Sequence, residues 1–295
     1  MNYRARFYPR LFFVVATGKE VRNMIRIGEI RYLNCTPIFS VLRENFPEAD
    51  YQYIEGTPAE LNARLRSGEV DLCPSSSIEY ARHPEKYFIL PDLSISAVGP
   101  VKSVLLFSRL PIERLDGASI GLTGESETSV VLLKILLSRR YRFTNSFAVC
   151  SGNLQEVLAE NEAMLLIGDS ALRSAASQNG CYLYDLGELW QEFTGFPFVF
   201  ALWLAREDAF GKAAKDFYLL RDRLIAAKLG AVGDYRRIAG QLKGNNWTNS
   251  ELLIKYWETI SYDLSPAHID GLRLYFRYAA ECGIIGHEPQ LRLLR

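Results

Sequence analysis

The chain has 295 residues, and its 34 Lys plus Arg balance 34 Asp plus Glu to a formal net charge of zero. That length is more than one compact core usually holds and predicts about two domains. A neutral chain offers no basic field to nucleic acid, and no stretch is long and apolar enough to span a bilayer, so neither nucleic acid nor membrane is an expected partner.

Residues 1–23 carry Arg4, Arg6 and Arg10 ahead of a short apolar run, Leu11 to Ala16. The run is at the short limit for a signal peptide and lacks a good cleavage site, so the segment reads as a disordered extension before Met24. From Met24, short strands alternate with helices, the pattern of a parallel α/β sheet. In IRIGEIRYLNCTP, Ile25, Ile27 and Ile30 favour a strand and Gly28 marks a close backbone approach. Thr36-Pro37 then opens a helix as N-cap and first helical residue. That helix ends before Pro47, and Tyr51 to Glu55 alternates as the next strand. Thr57, Pro58 and Glu60 form a capping box, Leu61 and Leu65 face inward, and Gly68 ends the helix. Val70 to Cys73 is a strand running into Pro74-Ser75-Ser76-Ser77, where Ser76 and Glu79 suit a second capping box.

Phe88 to Leu90 begins another strand, and Ile95 to Phe107 is a long extended run broken at Gly99-Pro100. A short helix, Leu110 to Asp116, and a strand, Ala118 to Leu122, lead to the hydroxyl-rich turn Thr123 to Ser129. The helix after it, Val130 to Leu137, is apolar nearly all round and is expected to be buried. Ser146 to Cys150 is a strand, Leu154 to Glu160 a helix, and Ala163 to Ile167 a buried strand ending in Gly168-Asp169-Ser170. Tyr182 to Leu186 follows, then a second long extended run, Gly195 to Ala205. The two long runs bracket a complete βα set. The chain therefore leaves one lobe, builds a second and returns, giving lobes of residues 24–105 plus 201–295 and of residues 106–200. From Asp208 to Gly283 the period is helical, and Ser265-Pro266 opens the last helix.

Candidate chemistry gathers at four turns that follow strands: Tyr32-Leu33-Asn34, Ser75-Ser76-Ser77, Thr123 to Ser129, and Gly168-Asp169. In open α/β sheets ligands are met beyond the carboxyl ends of strands, and the helix N-termini there favour anions. Two such turns from each lobe would hold a small dianion across a cleft. Each residue also has a plain structural role: Asn34 shapes its turn, and the serines cap helices. Tyr32, Phe196, Phe198 and Trp203 offer surfaces for ring stacking, although aromatic residues in strands are usually core. Cys35, Cys73, Cys150, Cys181 and Cys282 are an odd number without CxxC spacing. They predict free, mostly buried thiols in a reducing compartment rather than a disulfide framework or zinc site. His83, His268 and His287 are too scattered for a metal motif. GASIGLTG lacks dinucleotide-fold spacing, and there is no Walker motif or nucleophile elbow.

GEIRYLNCTP, PSSSIEY, GPVKSVLLFS, LTGESETSVVLL, IGDSAL and DLGELWQEFTGFPFVFALW occur in that order in the chorismate dehydratases of the futalosine route to menaquinone. From Met24 to Cys282 the chain resembles that family. The resemblance implies an α/β, two-lobed fold like type II periplasmic binding proteins, with two crossover strands and a ligand cleft between the lobes. It implies a cytoplasmic hydro-lyase without cofactor or metal. Chorismate would lose the hydrogen at ring C3 and the hydroxyl at C4 to give 3-[(1-carboxyvinyl)oxy]benzoate. Asn34 and Ser103 map to the catalytic positions. Tyr32, Ser75, Ser76, Ser126, Thr128, Ser129, Gly168 and Asp169 are the expected substrate-binding residues. Neither Asn34 nor Ser103 is a base at neutral pH, which leaves Asp169 or the substrate's own enolpyruvyl carboxylate as proton acceptor. Two other classes compete: an exported solute-binding protein of the same fold, and the sister 1,4-dihydroxy-6-naphthoate synthase. The YLN and KSV elements and the scarcity of histidine point away from the sister enzyme. The sequence is silent on oligomeric state.

Overall fold

The computed structural model describes residues 24–47, 51–177, 180–242 and 249–294; the expected extension over residues 1–23 lies outside them. Along the chain, β1 (Ile25–Ile30), β2 (Tyr51–Gly56), β3 (Leu72–Ser76) and β4 (Tyr87–Ala97) belong to a first sheet. A second sheet takes β5 (Val104–Ser108), β6 (Ser119–Leu122), β7 (Ser146–Val149), β8 (Ala163–Ile167) and β9 (Tyr182–Asp185). β10 (Phe198–Arg206) returns to the first. The helices are α1 (Thr36–Asn45), α2 (Pro58–Ser67), α3 (Ser77–Arg82), α4 (Glu127–Ile135), α5 (Leu154–Glu160), α6 (Gly168–Ala176) and α7 (Leu186–Thr194). They continue with α8 (Glu207–Gly233), α9 (Tyr235–Gln241), α10 (Ser250–Trp257) and α11 (Pro266–Glu281).

The strand orders are β2-β1-β3-β10-β4 and β7-β6-β8-β5-β9. Both sheets follow one plan. Three strands run parallel, and the strand arriving from the other lobe, β10 or β5, lies antiparallel in fourth place. The two-lobed α/β fold with two crossings expected from the sequence is the fold observed. The chain crosses between Ala97 and Val104 and recrosses between Asp185 and Phe198. The lobe limits expected at 105 and 201 fall inside β5 and β10.

A main core runs through both sheets. Along β5 the side chains alternate: Val104 and Leu106 join that core, while Leu105 and Phe107 join a smaller cluster with Val157 and Met164. Gly28 is placed as expected, since a Cβ there would lie 2.6 Å from Cys73 Cβ. α4 is buried through Val131, Leu132, Leu133 and Ile135, each worth about 1.5–3 kcal/mol of burial. It continues into a π-helical turn, Leu136–Arg140. The capping box of Thr57 and Glu60 is formed in both directions.

Three local expectations are corrected. Thr36 is inside α1 rather than its cap; Cys35 takes the cap position, and Thr36 Oγ1 donates back to Tyr32 O at 3.3 Å. Ser76 and Glu79 make no capping box. Glu79 is fully buried, accepts from Tyr87 Oη at 2.8 Å and pairs with Arg66, so tertiary partners outcompete the local one. Leu110 to Asp116 shrinks to a 3₁₀ turn, Ile112–Arg114. All five cysteines are free, with only Cys35 and Cys73 fully buried. Among the described residues no group of His, Cys, Asp and Glu is arranged for a metal, and no helix is long and apolar enough to cross a membrane.

Candidate active site

Between the sheets lies a cavity of about 60 Å³, lined by strand ends and the turns that follow them. The first lobe contributes Tyr32, Asn34, Cys35 and Ser76; the second contributes Ser126, Ser129 and Gly168. Ser103, on the first crossing, lies between them. Apolar walls come from Ile30, Ile95, Val104, Ile167 and Phe200. Among the described residues no charged side chain lines the cavity. An anion held here would be held by dipoles and hydrogen bonds alone. The volume holds roughly four to six waters at ~10–15 Å³ each.

The turn carrying Asn34 is fixed from three sides. Trp257 Nε1 donates to Leu33 O at 2.7 Å and Tyr262 Oη to Asn34 O at 2.7 Å. From the other lobe, Asp169 Oδ1 accepts the Leu33 N–H at 3.2 Å. With its backbone thus occupied, Asn34 turns its amide to the cavity, where Oδ1 is buried and unpartnered. Tyr32 Oη is likewise buried without a hydrogen bond of good geometry. Burial first, and then the nearby Glu125 carboxylate, raises the Tyr32 pKa far above its usual range, so it is a neutral donor. Burial also raises the Cys35 thiol, which makes it inert beside Asn34.

Ser103 is buried, and its Oγ lies 3.5 Å from Val101 O, at the outer limit of a hydrogen bond. Its backbone is held firmly: Ser103 O accepts Gly168 N–H at 2.7 Å. Gly168 adopts φ +57, and a Cβ there would meet the Tyr32 ring at 3.1 Å. Both the left-handed conformation and the ring contact require glycine. Just before Ser103, the crossing is pinned by Asp185, whose carboxylate accepts Val101 N–H at 3.1 Å and Lys102 N–H at 2.6 Å. Lys102 itself sits at φ 62. Asp185 also caps α7 through Gly187 and Glu188. Burial raises its pKa, while these four amides pull it back.

The expected residues thus divide. Tyr32, Asn34, Ser76, Ser103, Ser126, Ser129 and Gly168 converge on one cavity. Ser126 caps α4, accepting Ser129 N–H at 3.3 Å, so the N-terminus of that helix faces the cleft. Ser75, Thr128 and Asp169 do not line the cavity. Ser75 Oγ donates to Asn62 Oδ1 at 2.6 Å, and Thr128 Oγ1 accepts Ile78 N–H at 3.2 Å. Asp169 stands beside the cavity on Leu33, its pKa raised by burial first and lowered by the Leu33 N–H and Arg173. Phe198 and Trp203 are core, as aromatic residues in strands usually are. The strand aromatic in the wall is Phe200, beside Tyr32, and the FPFVF alternation places it one pleat along from Phe198. Asp185 and Tyr256, whose hydroxyl stands against Ser103, were not among the expected residues. Asp185 had only its cap-like place before LGEL as a signal.

A family model described as menaquinone biosynthesis matches residues 25–281. The chain belongs to that family. It is similar to a chorismate dehydratase of Thermus thermophilus, 35% identical over 202 residues, covering 62% of this chain and 70% of that protein. It is also similar to a chorismate dehydratase of Campylobacter jejuni, 32% identical over 178 residues, covering 59% of this chain and 64% of that one. Among solved structures, a protein from Archaeoglobus fulgidus superposes with a TM-score of 0.61 at 18% identity, covering 89% of this chain and 98% of that chain. The periplasmic aliphatic sulphonate binding protein SsuA of Escherichia coli does so at 0.61 and 13%, covering 92% and 97%. These likenesses place the family on a periplasmic-binding-protein-like fold.

Proposed function

We propose that this protein is a carbon–oxygen lyase that removes water from chorismate, yielding 3-[(1-carboxyvinyl)oxy]benzoate for menaquinone synthesis. The observation that carries the reading is the pairing of Asn34 and Ser103 in one cavity lined by uncharged side chains, with the Asn34 carbonyl oxygen buried and unpartnered. Such a free group becomes a strong contact once substrate displaces water from the site, because nothing then competes for it. Ser126, Ser129 and the α4 N-terminus take one carboxylate, and Ser76 and the α3 turn help with the other. Asn34 and Ser103 orient the C4 hydroxyl and assist its departure as the ring becomes aromatic.

The proton at C3 goes to the substrate's enolpyruvyl carboxylate, which is joined through oxygen to that same carbon and is placed before any step begins, and from there to the departing C4 hydroxide, which leaves as water and restores the carboxylate. Asp169 fits this role less well because its Oδ1 is committed to Leu33 N–H and it stands outside the cavity wall. The two lobes, broadly residues 24–105 with 201–295 and residues 106–200, open about the crossings to admit substrate and close to exclude water. The five free cysteines fit a reducing, cytoplasmic setting. Ser103→Ala and Asn34→Leu test the site: turnover should fall by ~10²–10³ while binding of the benzoate product changes far less. Wild-type turnover in both variants would remove them from the reaction.

A further inference from the structure

Behind the catalytic cavity lies a second, larger hollow of about 230 Å³ that shares no residue with it. Its walls are Leu33, Leu172, Ala176, Leu252, Leu253 and Tyr256, and two lysines, Lys102 and Lys255, stand at its rim. The walls come from both lobes: α6 from the second, α10 and the Asn34 turn from the first, and Lys102 from the crossing. Lys255 is engaged by Glu251 at 3.0 Å. Lys102 is exposed, and its ammonium has no ion-pair partner among the described residues. Such a hollow, apolar within and cationic at the mouth, suits a molecule with an apolar body and one anionic end.

Two walls are shared with the catalytic machinery. Leu33 is the residue between Tyr32 and Asn34, held by Asp169 and Trp257. Tyr256, buried in α10, faces the hollow and sets its hydroxyl against Ser103. From these placements we infer that this hollow is a regulatory site for an amphipathic anion, whose occupancy ties α6 to α10 and holds the closed arrangement of Asn34 and Ser103. A ligand spanning both lobes binds only the arrangement in which both walls are in place, so it shifts the lobes toward closure. The regulatory part rests on the dehydratase reading; the binding part does not.

Decanoate is the probe, followed by calorimetry on the full chain, with decanol as its uncharged counterpart. Decanoate should bind once. Ala176→Trp, which fills the hollow, should abolish that binding. Lys102→Met should weaken decanoate roughly tenfold and leave decanol unchanged. Saturating benzoate product should leave decanoate binding in place or tighten it. Absence of binding, binding indifferent to Ala176→Trp, or displacement by the product would overturn the site. If chorismate proves not to be the substrate, the two variants still decide whether the hollow binds. Decanoate should also alter dehydration kinetics in the wild type and not in Ala176→Trp; equal effects in both would overturn the regulatory role.

Discussion

Thr128 Oγ1 accepts the backbone N–H of Ile78 at 3.2 Å, so a hydroxyl from one lobe satisfies the first turn of a helix in the other. Arg82 of the same helix pairs with Glu127, the residue before Thr128. The turn that presents Ser126 and Ser129 to the cavity is thus also a latch. On the proposed reading, capture of an anion at the α4 N-terminus and closure of the lobes would be coupled through this one short segment.

Thr128→Val keeps the shape and removes the acceptor. The Ile78 N–H is then unpaired in the closed state, at a cost of about 1–3 kcal/mol. KM should rise with little change in kcat, and solution scattering with product bound should show a less compact particle than the wild type. An unchanged KM together with an unchanged scattering profile would show that this hydrogen bond does not hold the cleft.

Asp185 holds Ser103 at one remove, through Val101 and Lys102. Asp185→Ala should lower kcat at least tenfold and also lower stability by about 1–3 kcal/mol, because the part-buried Val101 and Gly187 amides lose their acceptor. Asp185→Asn, which retains one acceptor oxygen, should recover a large part of the stability and part of kcat. Equal kcat in both variants would confine Asp185 to capping α7.

How much of this was legible follows from how local each signal is. The stretch from Ile25 to Pro37 announced strand, turn and helix because β-branched residues, glycine and proline act within a few residues. The turns at Ser76, Ser126 and Gly168 could be found for the same reason, as strand ends before helices. Thr128 was legible as a member of its turn but not by direction, since its partner is 50 residues away. Ser103 has no local signature in an extended run and stood out only through the family resemblance. Asp185 lies 84 residues from Val101, and Tyr256 reaches Ser103 from a helix near the other end of the chain. Glu79 misled for the converse reason: a local capping pattern gave way to Tyr87 and Arg66 once the core formed.

His268 is buried between Ser261 and Ser265, its Nε2 3.1 Å and Nδ1 2.7 Å from their hydroxyls. Burial first, with Lys228 adding, lowers its pKa below the ordinary 6.5, against the pull of Asp263. The unfolded chain therefore takes up this proton more readily than the folded one. The contribution to stability is intact above pH 6.5 and is lost as pH falls through that value toward the lower folded pKa. Melting temperature should drop between pH 7 and pH 5, and drop less in His268→Gln. Parallel pH profiles for the two proteins would contradict this.

The proton acceptor can be assigned by a pair of comparisons. Asp169→Asn retains an oxygen able to accept from Leu33 N–H and should keep most of the turnover. A chorismate analogue whose enolpyruvyl carboxylate is an amide should bind and turn over at least ~100-fold more slowly. The opposite pattern, a fast amide analogue and a dead Asp169→Asn with intact binding, would make Asp169 the base.

The most direct test is proton NMR of chorismate incubated with a catalytic quantity of the purified chain. The vinylic ring signals of chorismate should be replaced by the aromatic signals of 3-[(1-carboxyvinyl)oxy]benzoate while the enolpyruvyl methylene signals persist, over many turnovers and without added metal or cofactor. Chorismate that binds the cleft and is recovered unchanged would contradict the account and leave a binding protein on this fold.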